Sequence, residues 1–363
     1  MKANAPTPLF SLLARLKAGG VVSHDELAGL AAHAPPPWWL ATLQALAAWL
    51  ASLFLLSAFY VPVLMIGDSP VARGLGGLVL AAVAIYLFRR EGVFVGQVAL
   101  AFSLAAQALV VSALAGDFIH LETDHRVVAA FGALLALIMM IPRSTPTHRS
   151  ACALVALVFG LIASFAAERA AIQASALCAC SVGLWLTRTH WAGKPYGVYL
   201  KAIANATSLL ALPAAWLLPA FSGSRFVIDP IFRSLAGSVS GMSYWVFTLC
   251  IGALVVATVF HLTRELPLQA RCVALAGALA MAFAARFTPG LIFAASLFLA
   301  AFQACHRPWA GAALLCAVLY LGEFYYNLQV TLLVKASALA ACGLLLLGLR
   351  QYLLSQTRTD VPT

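Results

Sequence analysis

LVLAAVAIYLF, residues 78–88, and ALLALIMMIP, residues 133–142, are apolar without alternation. A lipid-facing barrel strand alternates apolar and polar side chains, and these stretches do not. The other backbone form that satisfies its own hydrogen bonds inside hydrocarbon is the helix, so both read as helices. Similar segments of roughly 16 to 24 residues recur almost to the C-terminus, the length needed to cross a bilayer. The whole chain fits this pattern. Of its 363 residues 63% are hydrophobic and 9% are charged, and the mean hydropathy is +0.96. That leaves too little polar surface to cover soluble domains, and the expected class is an all-α integral membrane protein.

Twelve spans are expected, at 40–64, 74–88, 93–115, 127–142, 150–167, 170–187, 197–219, 243–262, 269–286, 289–305, 309–326 and 329–350. The fifth and sixth are parted only by Glu168 and Arg169, and the ninth and tenth only by Thr288–Gly290, so each pair reads as a tight hairpin or one bent element. Residues 1–37 precede this transmembrane domain (38–350) as a short cytoplasmic helical pair. Leu9, Leu12, Leu13 and Leu16 share a face, Gly19 and Gly20 stop the first helix, and Ser23 and Glu26 make a capping box for the second. Pro35–Pro37 stiffen the junction, Trp38 and Trp39 mark the interface, and residues 351–363 form a cytoplasmic tail.

Charge bias tests this count independently. With the N-terminus inside, fifteen of the 22 Lys and Arg residues fall on inside segments and six on outside ones, with Lys335 set apart as intramembrane. That asymmetry places both termini in the cytoplasm. The net charge of +10 is spread singly between apolar runs, which argues against a nucleic-acid face. All eight cysteines lie in or beside apolar segments without ligand spacing, so neither a disulfide nor a metal is expected.

Polar chemistry within the spans is sparse. GEFYYNLQVTLLVKAS, residues 322–337, sets Glu323 and Lys335 six residues either side of Gln329, where the last two spans turn. An antiparallel hairpin brings both to about the same depth, and a lone charge there costs at least a few kcal/mol. With Tyr325, Tyr326 and Asn327 they form a candidate intramembrane polar site, either a structural clamp or a proton, ion or anion relay. Gln97, Gln107 and Asn205 are secondary candidates for a path between helices or for interhelical hydrogen bonds. The acidic loop Asp117–Arg126, with two histidines, fits no metal motif and reads as a solvated loop. GSVSG at 237–241 has Val239 where G-x-S-x-G needs serine, and the chain has no P-loop, HExxH or dinucleotide fingerprint. No enzyme and no cofactor are expected.

Pro35–Leu56, VFVGQVALAFSLAAQAL from Val93, TPGLIFAASLFLAAF from Thr288 and EFYYNLQVTLLVKASALAACGLLLL from Glu323 together resemble a bacterial family of multi-pass membrane proteins, domain of unknown function 4401. The tyrosine pair followed by TLLVKAS is the most specific part. The resemblance implies a bacterial inner-membrane setting and no particular activity. The expected function is a non-enzymatic membrane component in the lipid bilayer, a subunit working with other membrane proteins. The alternative is a small-solute or ion transporter using Glu323 and Lys335.

Overall fold

The computed structural model describes residues 38–66, 69–90, 92–119, 125–142, 144–164, 169–221, 241–284 and 288–327, with Leu347 and Gln351 as single positions. The N-terminal pair, residues 222–240, the twelfth expected span and the tail lie outside the described residues, apart from the two single positions. Every regular element among those described is a helix. In chain order they are α1 (Trp38–Ile66), α2 (Pro70–Leu87), α3 (Val93–Ile119), α4 (His125–Met139), α5 (Pro146–Ala163) and α6 (Ala170–Leu186). The one-turn α7 (Arg188–Trp191) follows, then α8 (Gly197–Phe221), α9 (Gly241–Leu262), α10 (Leu268–Ala284), α11 (Pro289–Gln303) and α12 (Arg307–Asn327).

Eleven of the twelve expected segments each coincide with one helix, every end within four residues. Five of these helices are long and apolar enough to cross a membrane: Pro70–Leu87, Val93–Ala115, Pro146–Ala163, Gly197–Trp216 and Tyr244–Leu262. In the other long helices the apolar stretch is shorter, 10–17 residues, Thr42–Ala58 of α1 and Arg307–Gly322 of α12 among them. Both doubtful junctions separate distinct helices. Gln173 ties the ends across the first of them, donating from Nε2 to the Ser164 carbonyl and hydroxyl at 2.9 Å each.

Helix starts follow local chemistry. Ser69 and Thr145 accept from the Ala72 and His148 backbone N–H groups, and Pro70 and Pro146 then occupy first-turn positions where a missing N–H costs nothing.

The chain divides into two units, Met1–Ala106 and Gln107–Thr363, the boundary falling within α3. In the first unit α1 packs on α2, and α2 buries Gly76, Gly77, Leu80 and Ala84. In the second, α6 and α11 lie at the centre. α6 packs against α8, α9 and α11, while α11 also meets α8, α10 and α12; α4 and α5 form a hairpin that joins through α8. Trp185, Phe247, Ile251, Phe293 and Leu297 fill the core.

Around that core the surface of this unit differs from that of a water-soluble bundle. Small residues such as Ala204, Ala211, Ala215, Ala294, Ala300 and Ala301 are buried, whereas Leu249 (71% exposed), Phe302 (69%) and Phe283 (68%) face outward. In water each such large side chain forgoes about 1.5–3 kcal/mol of burial. In lipid it forgoes little, and small residues let helix backbones approach.

Two glycines permit close approaches. A Cβ on Gly290 of α11 would lie 3.3 Å from the Ala215 carbonyl oxygen of α8 and from the Tyr320 ring of α12. At Gly197 a Cβ would come within 2.3 Å of the Trp191 carbonyl oxygen, a backbone atom that cannot swing away. Gly197→Ala is therefore expected to cost about 1–3 kcal/mol by overpacking. Unfolding in mixed micelles measures it, and an unchanged midpoint would show that the turn before α8 is not held as described.

Candidate functional site

Many hydroxyls within the helices bond a carbonyl one turn back on their own helix, as Ser52, Ser175, Thr258 and Ser296 do, while a few polar side chains join one helix to another. In the first unit the Trp49 indole N–H donates to Gln97 Oε1 at 3.2 Å, joining α1 to α3. In the second, Gln107 Nε2 donates to Cys152 Sγ at 3.5 Å, and that sulfur lies 3.4 Å from His148 Nε2 one turn earlier on α5. All three side chains are buried. A Cys–His pair at hydrogen-bond distance is the arrangement of an activated nucleophile. Here all three side chains are enclosed between helices, and the trio serves as a seam between α3 and α5.

Asn205 of α8 makes a second seam. Its Oδ1 accepts the Trp309 indole N–H of α12 at 2.8 Å, and its Nδ2 donates to Ser150 Oγ of α5 at 3.1 Å. The indole can only donate, which fixes the amide orientation. Ser150 is two residues from both His148 and Cys152, about 200° around the helix at 3.6 residues per turn. Gln107 and Asn205 thus reach α5 on opposite faces and do not converge.

A third seam joins α6 to α8. Ser208 Oγ accepts the Trp185 indole N–H at 2.9 Å and donates to the Ala204 carbonyl at 2.7 Å. Its only proton is used there, so Ser181, 2.8 Å away, must be the donor in their hydroxyl pair. Trp185, Ser181 and Ser208 are all buried.

Charged groups gather at one end of this unit. The Tyr199 hydroxyl donates to the Ile141 carbonyl at 3.4 Å, and the Arg149 guanidinium lies 5.3 Å from the Tyr199 ring centroid. Arg188 donates across 116 residues to the Ala304 carbonyl at the end of α11. The His306 ring lies on Trp185, centroids 4.5 Å apart, and its Nδ1 accepts the Trp309 backbone N–H at 3.4 Å, which leaves the proton on Nε2. The turn that carries His306 closes with Cys305 in the left-handed region (φ 53°), while the His306 N–H reaches back to the Ala301 carbonyl at 2.9 Å. Glycine usually fills that position.

Burial lowers the His306 pKa from its ordinary range, and the positive charges of Arg188 and Lys201 lower it further, against a smaller upward pull from a backbone hydrogen bond. A base held neutral in the fold contributes stability above its unfolded pKa of about 6.5, and that contribution is lost as pH falls and only the unfolded chain readily takes up the proton. The charges acting on His306 are those of Arg188 on α7 and Lys201 on α8, and Arg307 follows it in the chain at the start of α12. His306→Asn keeps an acceptor for Trp309. The wild type is expected to lose stability relative to this variant between pH 7.5 and 5.5 in detergent melts, and parallel curves would contradict the assignment.

The residues singled out by sequence divide plainly. Glu323, Tyr325, Tyr326 and Asn327 occupy the last turns of α12, with their side chains outside the described residues, as is the whole of Lys335. Gln97, Gln107 and Asn205 each join neighbouring helices. His125 and Arg126, from the acidic loop, open α4 and are exposed. Among the described residues no three His, Cys, Asp or Glu side chains come together to hold a metal, and the seven described cysteines are free. Sequence reasoning passed over His148, Cys152, Trp185, Arg188 and His306. The usable signals were the four-residue spacing of His148 and Cys152 and the aromatic-with-cation runs WLTRTHW (185–191) and CHRPW (305–309).

One family of proteins, described as Domain of unknown function (DUF4401), matches residues 37–356. No curated protein and no solved structure matches the chain.

Proposed function

We propose that this chain, which belongs to the DUF4401 family, is a non-enzymatic component of the bacterial inner membrane that works as a subunit with partner membrane proteins. In this reading it has about twelve spans and both termini in the cytoplasm. Beyond the five long apolar helices, α1 with 29 residues and α12 with 21 support further crossings, since they measure about 43 and 31 Å at 1.5 Å per residue. The excess of Lys and Arg on alternate connections supports the orientation.

The observation that carries the subunit reading is the disposition of the polar side chains. A transporter needs polar groups facing a common cavity near mid-membrane. Gln107 and Asn205 instead meet opposite faces of α5, and each is spent on bonds between helices. Such bonds contribute only about 1 kcal/mol each, as expected of groups that set which helices pack together.

The test is purification in mild detergent from the native membrane at native expression, followed by mass spectrometry of everything that co-elutes. A stoichiometric membrane protein is the expected result. Elution alone with a bound small solute would overturn the subunit reading in favour of transport, to be pursued by flux assays in liposomes with Glu323 and Lys335 replaced.

A further inference from the structure

Three connections share one end of the second unit, because Tyr199 bonds to Ile141 and Arg188 to Ala304. With their adjoining turns they span 140–149, 187–201 and 304–307. Their described residues include Arg149, Arg188, Lys194, Lys201 and Arg307 and no Asp or Glu. Arg188, Lys201 and His306 have no carboxylate partner among the described residues. Such an uncompensated group of cations repels itself and attracts an anion.

The donors are arranged for one. Arg188 has five N–H groups, and its bond to the Ala304 carbonyl uses one of its nitrogens. His306, with Nδ1 committed to the Trp309 N–H, presents Nε2–H as a donor while its ring is held on buried Trp185. Lys201 is exposed near the start of α8, two residues after Tyr199, whose hydroxyl reaches Ile141 at this same end. Each tether comes from a different part of the chain: α7 supplies Arg188, α8 Lys201, and the turn before α12 His306. A guanidinium, an ammonium and an N–H donor at one end of the bundle together suit the several oxygens of a phosphate better than those of a single carboxylate.

We propose that Arg188, Lys201 and His306 form a binding site for a phosphate group at this end of the helical bundle, the ligand being an anionic phospholipid headgroup. The phosphate chemistry follows from the donors. The lipid source rests on the membrane reading, in which basic pockets between helices at the cytoplasmic side take anionic headgroups.

The full chain, purified in an uncharged detergent and stripped of lipid, is titrated separately with phosphatidylglycerol, phosphatidylcholine and inorganic phosphate at constant ionic strength. Bound lipid is read by native mass spectrometry and stabilisation by the melting midpoint. Phosphatidylglycerol is expected to be retained and to raise the midpoint, and phosphatidylcholine to do neither. Because Lys201 is exposed and its side chain has no hydrogen bond among those described, Lys201→Met tests the site without disturbing the fold. It is expected to weaken binding about five-fold, the effect of roughly 1 kcal/mol per cation near an anionic surface. Arg271→Gln, which removes a charge of α10 lying over Phe260 of α9, is expected to leave binding unchanged. Binding of inorganic phosphate alone, weakened by Lys201→Met, would uphold the phosphate site and assign it a soluble ligand. The proposal fails if phosphatidylcholine binds as well as phosphatidylglycerol, if Lys201→Met has no effect, or if Arg271→Gln weakens binding equally.

Discussion

Trp185→Ala is expected to cost about 3–5 kcal/mol, the range for emptying a buried aromatic site. Trp185 is 1% exposed at the centre of the second unit, where α6 meets α8 and the turn before α12. Its removal opens a cavity, takes one hydrogen bond from Ser208 and leaves His306 without the ring it lies on. Trp185→Phe separates these contributions. It keeps most of the volume and loses the indole N–H, while Ser208 retains Ser181 and the Ala204 carbonyl, so a cost of about 1 kcal/mol is expected for the single bond. Reversible unfolding in mixed micelles measures both variants. If the alanine variant lost less than the phenylalanine one, the indole would not be packed as described.

The second large effect concerns the pair proposed from sequence. Glu323→Gln and Lys335→Met are each expected to destabilise the protein by about 3 kcal/mol, because either change strands the other charge in hydrocarbon. The double variant is expected to recover part of that loss, since it removes both charges together. Strictly additive losses would show that the two groups do not meet. Anion or proton flux that vanishes in the single variants, with stability unchanged, would mark a relay rather than a clamp.

Legibility in the sequence followed the physics of each feature. Eleven expected segments matched helices within four residues at every end because an apolar run in hydrocarbon has one way to satisfy its backbone, and Pro, Gly or a charge usually marks where it stops. Among the starts, those of α2 and α5 were the least accurate, each four residues late. There Ser69-Pro70 and Thr145-Pro146 begin the helix with polar capping residues, which hydropathy reads as loop. The candidate polar residues were legible as unusual in their surroundings. What each one touches was not.

Asn205 shows the difference. Its sequence neighbours mark it as an amide in a span, which predicts an interhelical bond without naming a partner; the structure supplies Ser150 and Trp309, 55 and 104 residues away. Arg188 reads as one more basic residue on an inside segment until it is found on the Ala304 carbonyl beside His306. By itself the sequence determined the helical class, the positions of the apolar segments and the scarcity of charge, all properties set by each segment's own exchange with its solvent. Only the tertiary structure decided which helices adjoin and which polar atoms meet. Alanine-rich and leucine-rich surfaces present nearly equivalent faces to many neighbours, and the choice among them is made by close packing and a few directional bonds across distant parts of the chain.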